Sequence, residues 1–246
     1  NGSILPKLLR FAIPLMCSSM LQLLFNAADI VIVGNCCGDE SMAAVGSTTS
    51  LINLLTNLFI GLSVGSNVLT ARYFGGKEDR KVHEVVHTAV AISIISGLLL
   101  TILGIILAEQ ILILMGTPKD ILPLAVTYLR IYFLGMTAVM IYNFCNAILR
   151  AVGDTKRPLY YLFAAGVINV VLNLFFVVVC DLDVAGVGLA TAISQCVSAI
   201  LILRCLMKEH ECYQLLLKDI RIRIPYLVRI LRIGVPAGIY GTVFSL

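Results

Sequence analysis

Six apolar stretches, each long enough to cross a lipid bilayer, dominate this sequence of 246 residues. They cover about residues 8–34, 42–71, 88–108, 128–149, 159–180 and 185–207. Because roughly 20 helical residues span a hydrocarbon core about 30 Å thick, each stretch predicts one membrane-spanning helix. Hydrophobic residues make up 59% of the chain and charged residues 13%, which excludes an ordinary soluble domain. The sequence therefore predicts an all-α integral membrane protein with a six-helix transmembrane bundle.

A short repeat predicts that this bundle is one half of a larger unit. Residues 7–14 (KLLRFAIP) align without gaps with residues 229–236 (RILRIGVP), and both begin an apolar helix from the same side. Two copies in one orientation predict parallel repeats related by an axis along the membrane normal. The alternative is that a base, an apolar run and a proline are simply a common way to enter a membrane.

The repeat divides the chain into three predicted parts. Residues 1–207 are expected to form the N-terminal six-helix lobe, and residues 208–226 an amphipathic linker. Residues 227–246 are expected to start the first helix of a second six-helix lobe in the same full-length chain. The full-length chain would then contain 12 membrane-spanning helices, twice the number in this lobe.

The basic residues predict the orientation of the bundle. Of the 18 Lys and Arg residues, all but Lys119 and Arg130 lie in connections on one side of the predicted membrane. By the positive-inside rule this side is cytoplasmic, so the N-terminus and the 208–226 linker are predicted in the cytoplasm of a multi-pass cell-membrane protein. Because membrane insertion explains these clusters, they predict no nucleic-acid partner; the predicted partner is the lipid bilayer.

Two charged connections are expected to lie along the inner membrane surface. Residues 72–87 (RYFGGKEDRKVHEVVH) predict a Gly-Gly turn followed by an amphipathic stretch, and residues 208–225 an interfacial linker. The eight cysteines form no CxxC pair, and His83, His87 and His210 have no candidate ligand at metal-binding spacing. No structural or catalytic metal is therefore predicted.

Asp29 is the only one of the 14 acidic residues that is predicted to lie inside a span. An ionisable group inside a membrane costs at least a few kcal/mol, so it usually faces a cavity and handles ions or protons. No Lys or Arg is predicted in the membrane interior to neutralise it. Asp29 is therefore the first candidate for an ion-coupling site.

Polar residues of other spans are predicted at matching depths. At about 1.5 Å per helical residue, an outer level roughly 8–10 Å below the surface contains Asp29, Asn173 and Thr191. A deeper level, at roughly 15–16 Å on the same helical rise, contains Asn169, Gln195 and Tyr142.

These levels predict a polar wall that runs inward from the outer third of the bundle. Asn169 and Asn173 are four residues apart and share a helix face, as do Gln22 and Asp29 at seven apart. The alternative is that the amides and hydroxyls only hold helices together, at about 0.6 kcal/mol each. That alternative is weakest for Asp29, because a charge in the membrane costs more than an amide.

Pro14 lies fifteen residues before Asp29 in the same predicted helix. A proline removes one backbone hydrogen bond and permits a kink. The kink is either a fixed feature near the helix entrance or a bend whose angle changes with the charge on Asp29.

Three stretches of the sequence carry a family resemblance. The first is Pro14 followed by FNAADIVIVG (25–34) and MAAVG (42–46). The second is ILRAVGDTKRPLYY (148–161), and the third joins GVINVVLNLFF (166–176) to VAGVGLATAISQ (184–195). Together they resemble the MATE (multidrug and toxic compound extrusion) family, closest to its bacterial DinF-like branch. The similarity runs over the whole chain, as the N-terminal half of such a transporter.

The resemblance implies a fold and a set of roles. It implies two six-helix lobes around a central cleft, with Asp29 as the coupling carboxylate and Pro14 as the bending proline. Asn169 and Thr191 would belong to the polar network of the N-terminal lobe. Gln22 and Tyr142 are candidates for the substrate-facing wall, and we add Gln195 to them.

One departure from the family pattern concerns Asn173, where some relatives have a second acid. An amide cannot exchange a proton, so ion coupling in this lobe would depend on Asp29 alone. An aspartate with Asn and Thr oxygens suits either H+ or Na+. We expect one of these as the coupling ion, with Na+ at Asp29 as the only candidate metal and no other cofactor.

The expected function is secondary active multidrug efflux: antiport of amphipathic or cationic small molecules, driven by H+ or Na+. A flippase for lipid-linked precursors is the alternative, but it would be expected to line its cavity with Arg or Lys. An intramembrane transferase would need clustered acids to hold Mg²⁺, and no DxxxD or DDxxD cluster occurs; no enzymatic activity is therefore predicted. A non-transporting membrane subunit is the remaining alternative.

Overall fold

The structure, a computed structural model, describes residues 4–244, and every regular element in that range is helical. The eight α-helices are α1 (Ile4–Cys36), α2 (Asp39–Gly75), α3 (Asp79–Leu114), α4 (Leu122–Leu134), α5 (Met136–Ala151), α6 (Lys156–Leu174), α7 (Asp183–Lys208) and α8 (Ile224–Phe244). A π-helical turn, Phe175–Val179, continues α6, and a 3-10 turn, Leu217–Asp219, interrupts the connection between α7 and α8.

The number of spans agrees with the sequence prediction. Within residues 4–244, five helices are long and apolar enough to cross a membrane, and α4 with α5 provides a sixth if this bent pair is one span. Many large apolar side chains are exposed on the outside of the bundle, among them Leu23, Ile106 and Val179. A surface of this kind is typical of helices in contact with lipid. The fold is therefore the all-α membrane lobe that the sequence predicted.

The fourth span differs from its prediction as one helix over 128–149. The chain bends by 46° between α4 and α5, at Gly135. No proline causes the bend. The Gly135 N–H instead bonds to the Tyr132 carbonyl at 3.0 Å, a tighter turn than in an α-helix. A side chain at Gly135 would collide with the backbone of Ala192 in α7, so glycine lets the bend approach that helix.

The predicted surface segment after α2 is also different. Helix α2 ends at Gly75, and the turn that follows is formed by Gly76 and Lys77 and not by the two glycines. The charged residues after this turn are the first turns of α3 and not a separate surface stretch. Val82, Val85 and Val86 are fully buried there. Their burial keeps this charged stretch in line with the rest of α3.

Residues 209–223, here called the connecting segment, link α7 to α8. The segment is irregular apart from its single 3-10 turn. Leu215 and Tyr213 are nevertheless buried, and the Leu215 N–H donates to the Leu206 carbonyl at 3.0 Å. It therefore packs on the helices that precede it. Its cytoplasmic location stays a prediction.

Charged groups mark one end of the bundle, here called the basic end, where α2 meets α3, α5 meets α6 and the connecting segment lies. Arg157 pairs with both Asp154 and Glu209. Glu84 pairs with Arg80 at 3.3 Å and Arg223 at 3.1 Å. These contacts tie the connecting segment to the first turns of α3 and α6.

The helices pack in a continuous series. Helix α1 packs on α6, α6 on α7, α7 on α4 and α5, and α5 on α2 and α3. Helix α8 packs along α2 through glycines. A side chain at Gly61 would overlap the backbone of Gly238, and one at Gly234 would overlap Leu62. Small residues let two helix backbones approach closely in this way.

Candidate functional site

A cavity of about 210 Å³ lies inside the bundle between α1, α2, α5, α6 and α7, with one side chain from α4. Twelve of its 18 lining residues have polar side chains. The polar lining residues are Gln22, Asn26, Asp29, Thr56, Tyr132, Tyr142, Asn143, Asn169, Thr191, Ser194, Gln195 and Ser198. The sequence prediction of a polar wall on several helices therefore corresponds to a cavity in the structure.

Asp29 is fixed in this cavity by an amide from α6. The Asn173 Nδ2 donates to Asp29 Oδ1 at 2.5 Å, and also to Asn169 Oδ1 at 3.2 Å. Asn173 is fully buried, whereas Asp29 is half-buried. The spacing of four residues on α6 thus places two amides in succession beside the carboxylate.

The hydrogen bonds continue from α6 to α7. Asn169 Nδ2 lies 3.3 Å from Thr191 Oγ1 and 3.5 Å from Ser194 Oγ. The Thr191 hydroxyl donates to the Val187 carbonyl at 2.9 Å. We call this sequence of contacts, from Asp29 through Asn173 and Asn169 to Thr191, the polar chain. It joins three helices through side chains that the sequence predicted at two depths.

The direction of the polar chain is fixed by its donors. Asp29 accepts from Asn173, Asn173 donates again to Asn169, and Asn169 donates to Thr191. Amide groups carry both a donor and an acceptor, whereas an ionised carboxylate only accepts. Asp29 Oδ1 accepts from Asn173 in this arrangement, which both an ionised carboxylate and the carbonyl oxygen of a protonated carboxyl group can do.

One oxygen of the polar chain is left without a donor. In the described part of the chain, the buried Asn173 Oδ1 has no hydrogen-bond partner. Buried amide oxygens are almost always paired, so an orphan of this kind calls for an explanation. Carboxylate and amide oxygens are ligands that a hard cation accepts. Asp29 and Asn173 together are thus the residues that could hold Na+.

The three substrate-facing candidates line the same cavity, but Tyr142 differs from Gln22 and Gln195. Its hydroxyl donates to the Pro158 carbonyl at 3.1 Å, where α6 begins. Tyr142 is also buried. It therefore presents its ring to the cavity while its hydroxyl is held by the protein.

Pro14 lies outside the cavity lining, within one continuous helix α1. The Ser18 hydroxyl donates to the Pro14 carbonyl at 2.8 Å, and both residues are buried. The matching Pro236 lies within α8. Both copies of the sequence repeat thus place a proline inside a helix.

Several cavity residues were missed in the sequence. Asn26 and Asn143 line the cavity, as do Thr56, Ser194 and Ser198. For three of them the signal was present in the spacing. Asn26 lies three residues before Asp29, Ser194 lies three after Thr191, and Ser198 lies three after Gln195. Each therefore shares a helix face with a predicted residue. Thr56 and Asn143 had no such partner, because their places depend on how α2 and α5 pack.

The expectation that no histidine has a partner ligand is wrong. His83 and His87 are four residues apart on α3, which is a metal-binding spacing on one helix face. The fold brings Asp219 of the connecting segment to them, and one ligand atom from each of the three lies within 4.8 Å of the others. Asp219 is 132 or more residues away in sequence, so the group is visible only in the structure.

Comparison with known proteins agrees with this architecture. The MatE family model matches residues 14–175. The chain is 32% identical over 243 residues to the Probable multidrug resistance protein YoeA of Bacillus subtilis, covering 96% of this chain and 52% of that protein. It is 24% identical over 253 residues to the Multidrug export protein MepA of Staphylococcus saprophyticus, covering 100% of this chain and 56% of that protein.

Solved structures give the same result. A MATE crystal structure in the bent conformation superimposes with a TM-score of 0.88 at 28% identity, covering 96% of this chain and 53% of that chain. An inward-facing multidrug resistance MATE transporter of the MOP superfamily superimposes with a TM-score of 0.83, also at 28% identity, covering 96% and 54%.

The bundle and its internal polar cavity are thus similar to one half of the solved MATE transporters. The chain belongs to the MATE family. It spans about half the length of the curated relatives it matches, which agrees with the prediction that it is the N-terminal half. Those relatives are named as multidrug transporters and not as enzymes.

Proposed function

We propose that this chain is the N-terminal lobe of a secondary active transporter that exports amphipathic or cationic small molecules in exchange for H+ or Na+. The observation that carries the proposal is a carboxylate inside a polar cavity, held by an amide and without a basic partner. In the described lining of the cavity, Asp29 is the only charged residue. A lone negative charge in such a place attracts cations.

The ion acts through the hydrogen bonds of Asp29. While Asp29 is ionised, it accepts from Asn173 Nδ2. A proton on Asp29 turns the carboxyl group into a donor, which favours a turned Asn173 amide with its oxygen towards Asp29. A bound Na+ would instead take the oxygens of both residues. Either event breaks the present hydrogen bond, in which Asn173 Nδ2 donates to Asp29 Oδ1.

A change at Asn173 passes to its neighbours in the polar chain. Because Asn173 Nδ2 also bonds to Asn169, a turned Asn173 amide requires Asn169 to turn as well. The Thr191 hydroxyl can then donate to Asn169, although it now donates to its own helix. The two sets of hydrogen bonds are alternative packings of α1, α6 and α7, and the ion selects between them.

Pro14 is the position at which α1 can bend when the hydrogen bonds of Asp29 change. Its ring removes one backbone hydrogen bond, so the helix bends there at lower cost than elsewhere. Asp29 lies farther along the same helix, and α1 is bound to α6 beside Asp29. We infer that the packing at Asp29 sets the angle of α1 at Pro14.

The residues that line the cavity also indicate which class of substrate it favours. A flippase for anionic lipid precursors would need positive charge, and the described lining contains no Lys or Arg. Gln22 and Gln195 offer hydrogen bonds, and Phe25 and Tyr132 offer aromatic faces. Aromatic faces and a nearby carboxylate favour cationic amphipathic molecules.

Transport by the full-length protein in proteoliposomes tests this function, with ethidium as the substrate. Wild-type protein should move ethidium against its gradient when an H+ gradient or a Na+ gradient is imposed, and the two arms identify the ion. Asp29→Asn should lose gradient-driven transport, because an amide keeps the shape but cannot bind or release the ion. Glu109→Gln, at an exposed acid paired with Arg130 at 3.7 Å, is the matched control and should transport normally.

Equal gradient-driven transport by wild type and Asp29→Asn would contradict the proposal.

A further inference from the structure

Two histidines and an aspartate meet at the basic end of the bundle, away from the polar cavity. His83 Nε2 lies 3.2 Å from Asp219 Oδ2, and the rings of His83 and His87 have their centroids 4.0 Å apart. One ligand atom from each of the three residues lies within 4.8 Å of the other two. The group joins the first turns of α3 to the connecting segment.

His87 is held in an orientation that suits a metal ligand. Its Nδ1 lies 2.7 Å from the His83 carbonyl, to which it can donate. Its Nε2 lies 3.0 Å from the Leu216 nitrogen and 3.1 Å from the Leu216 carbonyl oxygen. With the proton on Nδ1, Nε2 accepts from the Leu216 N–H. A histidine whose Nδ1–H is held by a carbonyl carries its lone pair on Nε2, and this is the form that binds metals. His87 is buried, so the ring orientation is fixed by packing.

The other two residues are open to solvent. The side chain of His83 is 34% exposed and that of Asp219 is 49% exposed. An ion in solution can therefore reach them without a change in the helices. Their separation of 3.2 Å is close to the roughly 3.4 Å between neighbouring ligands of a tetrahedral ion with bonds of about 2.1 Å.

We propose that His83, His87 and Asp219 bind a divalent transition-metal ion, with Zn²⁺ as the preferred ion. Two imidazoles and one carboxylate form a three-ligand set that zinc accepts, and water completes the tetrahedron. Imidazole ligands favour zinc, copper or nickel over Mg²⁺ and Ca²⁺, which prefer oxygen. The proposal does not depend on Asp29 or on the function of the cavity.

Metal binding has two costs in this structure. The Leu216 N–H must release His87 Nε2, because a lone pair cannot serve both. The exposed Lys218 is next to Asp219 in sequence, and its positive charge opposes a cation. Both effects lower the affinity below that of a dedicated zinc site, and so favour a reversible site over a permanently loaded one.

The ion would fasten the connecting segment to α3. Two ligands come from the helix and one from the 3-10 turn Leu217–Asp219, shortly before α8 begins. A bound ion should therefore restrict the motion of that turn. Lys218 and Arg221 are exposed beside it and provide sites for trypsin. Bound zinc should therefore slow trypsin cleavage of the peptide bonds that follow Lys218 and Arg221.

Equilibrium dialysis of the full-length protein against ZnCl₂, after alkylation of its thiols, is the direct test. Alkylation is needed because cysteines bind zinc, and Cys36, Cys180 and Cys196 are exposed. Wild type should bind one zinc per chain at this group, and His83→Gln or Asp219→Asn should weaken that binding at least tenfold. His210→Gln is the matched control, since His210 is an exposed histidine of the same segment outside the group.

His87 is left intact because a substitution at a buried position can unfold the protein. A second measurement follows the rate of trypsin cleavage at Lys218 and Arg221 with and without ZnCl₂. Zinc should slow this cleavage in wild type and in His210→Gln, and not in His83→Gln or Asp219→Asn. The proposal is overturned if alkylated wild type binds no zinc. It is equally overturned if His83→Gln and Asp219→Asn bind zinc as tightly as wild type.

Discussion

Two cavities in the described part of this lobe have opposite chemistry. The polar cavity, about 210 Å³, is lined by three members of the polar chain, Asp29, Asn169 and Thr191. The second, here called the apolar cavity, has about 120 Å³ and lies between α2, α3 and α4. It is lined by Leu51, Leu55, Phe59, Leu100, Leu103, Gly104, Leu107, Ala108, Ile111, Leu129 and Phe133.

The two cavities differ in whether their lining side chains can form hydrogen bonds with a charged group. In the polar cavity an amide donates to the carboxylate, and further amides and hydroxyls can reorient. The apolar cavity offers no side-chain donor or acceptor in its described lining. Apolar cavities of this size stay dry. Empty space alone therefore does not define a functional site in this lobe; the hydrogen-bonding groups around the space do.

A charge placed in the apolar cavity is expected to have the largest effect. Leu129 is fully buried there, and Leu129→Asp would leave an unpaired charge that costs several kcal/mol. We expect no folded protein, measured as loss of the monodisperse peak in size-exclusion chromatography in detergent. Leu129→Met, which nearly conserves volume, should cost less than about 1.5 kcal/mol. Asp29→Asn should fold like wild type, since it removes a charge.

A monodisperse Leu129→Asp protein with wild-type thermal stability would contradict the prediction that the apolar cavity cannot accommodate a charge.

A smaller effect is expected where a glycine borders the apolar cavity. A Cβ at Gly104 would overlap the ring of Phe133, so Gly104→Ala should destabilise the lobe by about 1–3 kcal/mol. Thermal unfolding of the full-length protein in detergent measures this loss. Gly46→Ala is the control: a Cβ at Gly46 meets no atom within 4 Å, and alanine favours a helix by up to about 1 kcal/mol. Equal melting temperatures for the two variants would show that Phe133 is not packed against α3.

The smallest stability effect is expected in the polar chain, where the effect on transport should be the larger one. Asn173→Ala removes the donor to both Asp29 and Asn169 and should cost about 1 kcal/mol, since a hydrogen bond between membrane helices contributes about 0.6 kcal/mol on average. Gradient-driven ethidium transport should fall, but less than in Asp29→Asn, because an amide only adjusts its neighbour.

Asn143→Ala is the matched control for Asn173→Ala. Asn143 also lines the cavity, but its Nδ2 donates to the Val139 carbonyl of its own helix at 2.8 Å. The Asn143→Ala protein should therefore transport ethidium at nearly the wild-type rate. A greater loss of transport in Asn143→Ala than in Asn173→Ala would argue against the polar chain as the coupling element.

The sequence predicted the spans and most of the polar cavity because those features are local or periodic. Apolar length predicts a span, and a charge inside one is conspicuous, so Asp29 could be recognised without a structure. The pair Asn169 and Asn173 followed from helical spacing, and the rise per residue placed Asn173 level with Asp29, where the structure joins them.

Features that depend on packing between distant segments could not be predicted. The bend at Gly135 depends on the approach of Ala192, and the contact of Asp219 with His83 depends on the path of the connecting segment. The close packing of Gly61 and Gly65 in α2 against α8 likewise depends on two segments that are far apart in sequence. A span can be recognised from its own residues, whereas a contact needs both partners.

The most direct test of the account measures whether substrate binding is linked to the coupling ion through Asp29. The dissociation constant of ethidium for the full-length protein would be determined by isothermal titration calorimetry over a range of H+ and Na+ concentrations. If one ion is displaced from Asp29 as substrate binds, the logarithm of Kd should rise with that of the ion concentration, with a slope of about one. Asp29→Asn should still bind ethidium, with a slope near zero. An Asp29→Asn protein that keeps the wild-type slope would contradict the account, because the ion would then bind elsewhere.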